Sequence, residues 1–145
     1  MRVRTILLPL AVVMALMLST LLASAAAATT VIQLTLTGAA EAPGPGDPDG
    51  TGTATLWLNR GQSEVCYSFE TTGLSTLTGA HIHLAPPGSP GPVVIPTPPT
   101  TATGGSGCVE ADRDLIKAIT KDPGAYYFNV HSTEFPAGAL RAQLG

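Results

Sequence analysis

Three histidines, His81, His83 and His131, are the side chains in this sequence best suited to chemistry, and the chain holds no others. His81 and His83 flank a single apolar residue, Ile82. On a β-strand that spacing puts both imidazoles on one face, close to 7 Å apart. His131 lies on a second alternating segment, Tyr126–His131. Imidazole nitrogens suit Cu(II) and Zn(II), and a three-ligand site leaves a position open for water or another ligand. The competing reading is that each histidine hydrogen-bonds to a sheet-face neighbour such as Asn129, Tyr127 or Glu134. Which holds depends on whether the three meet.

Other constellations are weaker. Ser132 follows His131 directly, so the two side chains point to opposite faces, which argues against a Ser–His pair. Glu134 and Arg141 are placed to pair across a turn and not as an acid/base couple. Asp47-Pro-Asp-Gly50 has the look of a calcium loop but lacks its carboxylate count and bidentate glutamate, which favours a plain turn. No phosphate loop or dinucleotide fingerprint is present.

The positioning elements follow from a hydrophobic period of two. Strands are expected at Val31–Gly38, Gly52–Asn59, Glu64–Thr71 and Gly79–Leu84, with the middle two forming a hairpin around Asn59–Ser63. In the fourth, Ala80, Ile82 and Leu84 should face the core, which turns His81 and His83 outward. Tyr126, Phe128 and Val130 likewise set the register that turns Tyr127, Asn129 and His131 outward. Leu140, Ala142 and Leu144 complete a terminal hairpin with Arg141 and Gln143 on its polar side. Residues 85–107 read as a Pro/Gly-rich excursion with one short edge strand at Val93–Ile95. One helix is expected, capped by Asp112, striped by Leu115, Ile116 and Ile119, and stopped by Asp122-Pro123-Gly124. At about nine residues it must pack on the sheet to persist. The fold class is all-β: a single antiparallel β-sandwich or Greek-key barrel with one short helix.

Ahead of this domain, Arg2 and Arg4 precede an apolar run from Ile6 to Leu22 and the small residues Ala23-Ser-Ala-Ala-Ala-Ala28. The pattern is that of a signal peptide over residues 1–28, with the mature domain at 29–145. The alternative is a membrane anchor, since about seventeen apolar residues approach the spanning limit. With Arg2 and Arg4 removed, five basic residues remain against ten acidic ones. Nothing basic clusters, which weighs against nucleic acid, or a membrane surface after cleavage, as a partner. Cys66 and Cys108 suit a disulfide in an exported protein, with paired thiol ligands as the alternative.

Four stretches in order resemble the CHRD domain, the chordin-type module. They are Gly50-Thr-Gly-Thr-Ala-Thr55, Gly79-Ala-His-Ile-His83 with Gly91-Pro-Val-Val94, Asn129-Val-His131 with Glu134-Phe-Pro136, and Gly138-Ala-Leu-Arg-Ala-Gln-Leu144. The resemblance implies a secreted or extracytoplasmic all-β module with a non-catalytic structural or binding role. An extracellular protein or surface component would be its partner. A weaker likeness, to copper-zinc superoxide dismutase, rests on the His-x-His strand, the later Val-His131, and Gly138 with Arg141. It implies a copper or zinc cofactor held by His81, His83 and His131, with redox activity as a further option. Three histidines supply no counterpart for a bridging or zinc-site set, and Cys108 precedes the helical segment, so the likeness ends there.

Overall fold

A computed structural model describes residues 28–145; the expected signal segment lies almost wholly outside them. Eight strands run β1 Thr30–Thr37, β2 Thr51–Asn59, β3 Glu64–Thr72, β4 Leu77–Leu84, β5 Val93–Pro96, β6 Gly104–Glu110, β7 Tyr126–Ser132 and β8 Leu140–Gln143. They form one antiparallel sheet in the order β5-β4-β7-β8-β1-β2-β3-β6. The sheet curls until its ends approach: Tyr67 Oη donates to Pro98 O at 3.0 Å, and Leu77 N donates to Ala102 O at 3.1 Å. Phe69 of β3 and Phe128 of β7, four places apart in the sheet, meet edge to face at 5.4 Å across the interior. The result is the nearly closed barrel or sandwich that the alternation implied.

The inward faces carry the expected residues. Leu36, Leu56, Leu58, Val65, Ile82, Ile95, Phe128, Val130 and Leu140 are buried in one cluster. Each large aliphatic or aromatic side chain there is worth roughly 1.5–3 kcal/mol of transfer free energy. The helix α1, Arg113–Lys121, adds Ile116 and Ile119 to this cluster, so it plugs the barrel. Its N-cap is Asp112, whose Oδ1 accepts from the amides of Asp114 and Leu115 at 2.8 and 3.0 Å.

Two expectations about the chain's path need correction. Leu84 is 43% exposed. It closes β4, whose pairing with β7 stays regular through Leu84↔Tyr126, so its parity is the expected one, but at the strand's end it lies beyond the core cluster. Part of the 85–107 excursion is a strand: β6 pairs with β3 from Glu70↔Gly104 to Glu64↔Glu110. Its Gly104-Gly-Ser-Gly sequence carries no apolar alternation, and its pairing is long-range. Cys66 and Cys108 face one another directly in this ladder and are bonded, with Cα atoms 3.9 Å apart, closer than the usual 4.4–6.8 Å. The disulfide therefore ties the edge strand to the sheet. Asp47 is the expected turn, its Oδ1 accepting from the amides of Asp49 and Gly50 at 2.9 and 2.7 Å.

Candidate three-histidine centre

Strands β4 and β7 are hydrogen-bonded neighbours, with Gly79 opposite His131 and His81 opposite Asn129. Adjacency and shared parity bring the three imidazoles together. Ring centroids are 5.1 Å apart for His81–His131, 5.6 Å for His81–His83 and 6.5 Å for His83–His131. One ring nitrogen of each lies within 4.8 Å of the others. Two nitrogens at about 2.1 Å from one tetrahedral ion lie about 3.4 Å apart, so the rings must draw together on binding.

The hydrogen bonds set the tautomers. His83 Nδ1 is 2.8 Å from Gly91 O, and His131 Nδ1 is 3.1 Å from Pro136 O. A carbonyl only accepts, so both Nδ1 atoms carry the proton and both Nε2 atoms present a lone pair. Those two Nε2 atoms, together with His81 Nδ1, are buried without a hydrogen-bond partner among the described residues. Buried nitrogens without a partner are costly, and the two Nε2 atoms offer lone pairs that a bound group would take up. The competing sheet-face partners are absent: none of the three rings hydrogen-bonds to Asn129, Tyr127 or Glu134.

Burial favours the neutral form of two of the rings. The His81 imidazole is pushed down to about 4 by loss of hydration, and then by the neighbouring His131 and His83. His131 is lowered mainly by burial, which the carbonyl of Pro136 partly opposes. Neutral imidazole is the form that ligates a metal. Gly79 supplies the space: a Cβ there would lie 3.1 Å from His81 Cε1 and 3.7 Å from His131 Cδ2. Among the described residues, no carboxylate or thiol joins these three. The other acidic and cysteine grouping, Glu64 with Cys66 and Cys108, has its sulfurs bonded to each other, which removes the paired-thiol reading.

Sequence parity placed the histidines on a polar face correctly, but that face is roofed, not wet. Tyr127, Asn129, His83 and Arg141 are all buried, Arg141 at 1% exposure. Loops 38–50, 85–92 and 133–139 cover them. Tyr127 stacks on His83, its ring 4.6 Å away and nearly parallel, and carries the Arg141 guanidinium on its ring at 3.5 Å. Arg141 does not pair with Glu134. It donates to Ser89 O, Pro86 O and Gln143 Oε1, so it is not free to meet a ligand at the centre. Glu41 comes from the first of these loops, and its Oε1 is buried without a hydrogen-bond partner among the described residues. Burial raises its carboxyl to about 6, against the opposing pull of Asn129 and Arg141. The parity of Tyr127, Asn129 and Arg141 was the one sequence signal for this second layer. Nothing local pointed to Glu41 or to the carbonyls of Gly91 and Pro136.

Fold and site together define an antiparallel all-β module, cross-linked once, with three histidines gathered beneath its loops. The chain belongs to the CHRD domain family, whose model matches residues 32–144. That membership supports a structural or binding module. Neither the curated proteins nor the solved structures searched contain a match to it.

Proposed function

We propose that this chain is an exported, non-catalytic CHRD-domain binding module whose ligand is a transition-metal ion, copper or zinc, held by His81, His83 and His131. One observation carries the reading: three imidazoles come within ligand range of one another, and each has a buried nitrogen without a hydrogen-bond partner. A purely structural histidine cluster would place those nitrogens on donors. Two of the three already have the outer hydrogen bond to a backbone carbonyl that metal-bound histidines characteristically make. The all-nitrogen donor set favours Cu(II) or Zn(II) over Mg(II) or Ca(II), which prefer oxygen.

Export rests on the Arg2/Arg4 and Ile6–Leu22 pattern and is supported by the Cys66–Cys108 bond. An extracellular protein or surface component remains the proposed macromolecular partner of the module. Titration of the purified domain with Cu(II) and Zn(II), beside His81→Ala, His83→Ala and His131→Ala, tests the metal reading. One ion per chain in the wild type and at least a hundredfold weaker binding in each variant is expected. Wild-type binding no tighter than in the variants would leave a structural module without a metal.

A further inference from the structure

The loop between β4 and β5 is held by an unusual convergence of contacts. Arg141, on β8, sends one guanidinium nitrogen to Ser89 O at 2.8 Å and another to Pro86 O at 3.0 Å. Gln143 on the same strand donates to Ala85 O at 2.7 Å. The guanidinium lies on the Tyr127 ring, and Tyr127 lies against His83. Arg141 and His83 come from β8 and β4, the strands flanking β7 on either side, so guanidinium, phenol and imidazole stack in that order. The loop then returns to the same histidine: Gly91 O accepts from His83 Nδ1, and Gly91 N donates to Tyr127 Oη at 3.3 Å. A side chain at residue 91 would collide with Leu84 O, its Cβ falling 2.0 Å away, so only glycine lets the loop close this tightly.

We infer that Arg141 is a positioning residue for the histidine centre: by clamping the 85–92 loop and backing Tyr127 against the ring, it holds His83 as the Nδ1–H tautomer with Nε2 facing the ion. This rests on reading the three histidines as metal ligands. A buried arginine carries a high desolvation cost, which the nearby Glu41 charge offsets in part. The donors of Arg141 go to two carbonyls of one loop and to Gln143. Burial of this kind is explained if holding that loop is its task. Without the clamp, Gly91 O is free to leave Nδ1, the ring can exchange tautomers or turn, and its lone pair is lost from the centre.

The test uses the whole mature chain with Arg141→Lys, Arg141→Met and Tyr127→Phe. In the metal-free protein, long-range proton–nitrogen NMR reads the His83 tautomer. The wild type should show only Nδ1–H, and Arg141→Met a mixture. Cu(II) should bind Arg141→Met about 10- to 100-fold more weakly, the range seen when outer hydrogen bonds to metal ligands are lost. Its electron paramagnetic resonance spectrum should change as well. Arg141→Lys, which can reach one carbonyl but not two, should fall between. Tyr127→Phe keeps the stack and loses one long hydrogen bond, so it should stay within a few-fold of wild type. A lower melting temperature with the tautomer and the Cu(II) spectrum unchanged overturns the inference. If Arg141→Met does not fold, Arg141→Lys decides: an unchanged tautomer and spectrum overturn it. If the wild type takes up no Cu(II), the metal reading falls, and the tautomer measurement still decides what Arg141 does.

Discussion

Replacing Cys66 and Cys108 together by alanine should cost this domain close to the full loop-closure term of its disulfide. The two residues are 42 apart in sequence. In the chain-entropy model a loop of that length lowers the entropy of the unfolded chain by an amount worth about 4 kcal/mol at 25 °C. Little else is lost. Cys66 is half-buried and Cys108 exposed, so the alanines remove little core contact. The β3–β6 ladder continues for four residues beyond the pair toward Gly104 and two toward Glu110, so register survives without the bond. An unfolding entropy of about 2.1 cal/mol/K per residue gives roughly 0.25 kcal/mol/K for a domain of this size, and hence a fall in Tm of about 16 °C. Denaturant unfolding of both proteins, with the midpoint and slope fitted separately, measures it. Because the disulfide bridges β3 and β6, neither of which pairs with β4 or β7, Cu(II) and Zn(II) binding should be unchanged. A loss below about 1 kcal/mol, or a collapse of metal binding in a folded double variant, would refute the reasoning.

The protonation of His81 sets a pH dependence for metal binding. Free imidazole takes up a proton below about 6.5, but with His81 held down to about 4, this ring should not itself lose the metal to protons until pH approaches 4. The same shift acts on the metal-free fold: the unfolded chain takes up this proton first, so the stability His81 contributes is present above 6.5 and is lost as pH falls toward 4. An NMR titration of the metal-free protein that placed the His81 midpoint at or above pH 6.5 would contradict this. Glu41 runs the other way. Its folded carboxyl titrates near 6 against an ordinary 4.5, so the stability it contributes is present below 4.5 and lost as pH rises through 6. Glu41→Gln should therefore stabilise the domain at pH 7.5, by less than about 2 kcal/mol after solvent screening, with the gain gone at pH 4.5. Equal melting temperatures at pH 7.5 would argue against a buried charge. Gly79→Ala, whose methyl would press on His81 and His131, should weaken Zn(II) binding about tenfold, roughly 1.4 kcal/mol, while the melting temperature moves by only a few degrees; unaltered affinity would show that Gly79 is not needed for space.

How much of this was legible in the sequence divides by range. Alternation around Ile82 and around Phe128 and Val130 fixed which way the histidines point, because a one-residue slip would expose a whole apolar set. The helix and its Asp112 cap were local as well. Strand adjacency was not: β4 and β7 are separated by the edge strand, β6 and the helix, and no periodicity encodes their pairing. β6 was missed because Gly104-Gly-Ser-Gly has no side-chain pattern to read. The roof was missed for a different reason. Polar residues on a strand face ordinarily meet water, and Arg141 is buried here because a loop distant in sequence supplies its partners. Leu84 shows the reverse error, an apolar residue of the right parity at the end of its strand.

X-ray absorption at the zinc edge of the Zn(II)-loaded mature protein addresses the three-histidine centre most directly. The prediction is a four-coordinate ion with three imidazole nitrogens at about 2.0–2.1 Å and one further light ligand, with an imidazole lost in His131→Ala. A shell of oxygen ligands alone, or a spectrum identical in wild type and His131→Ala, would contradict it.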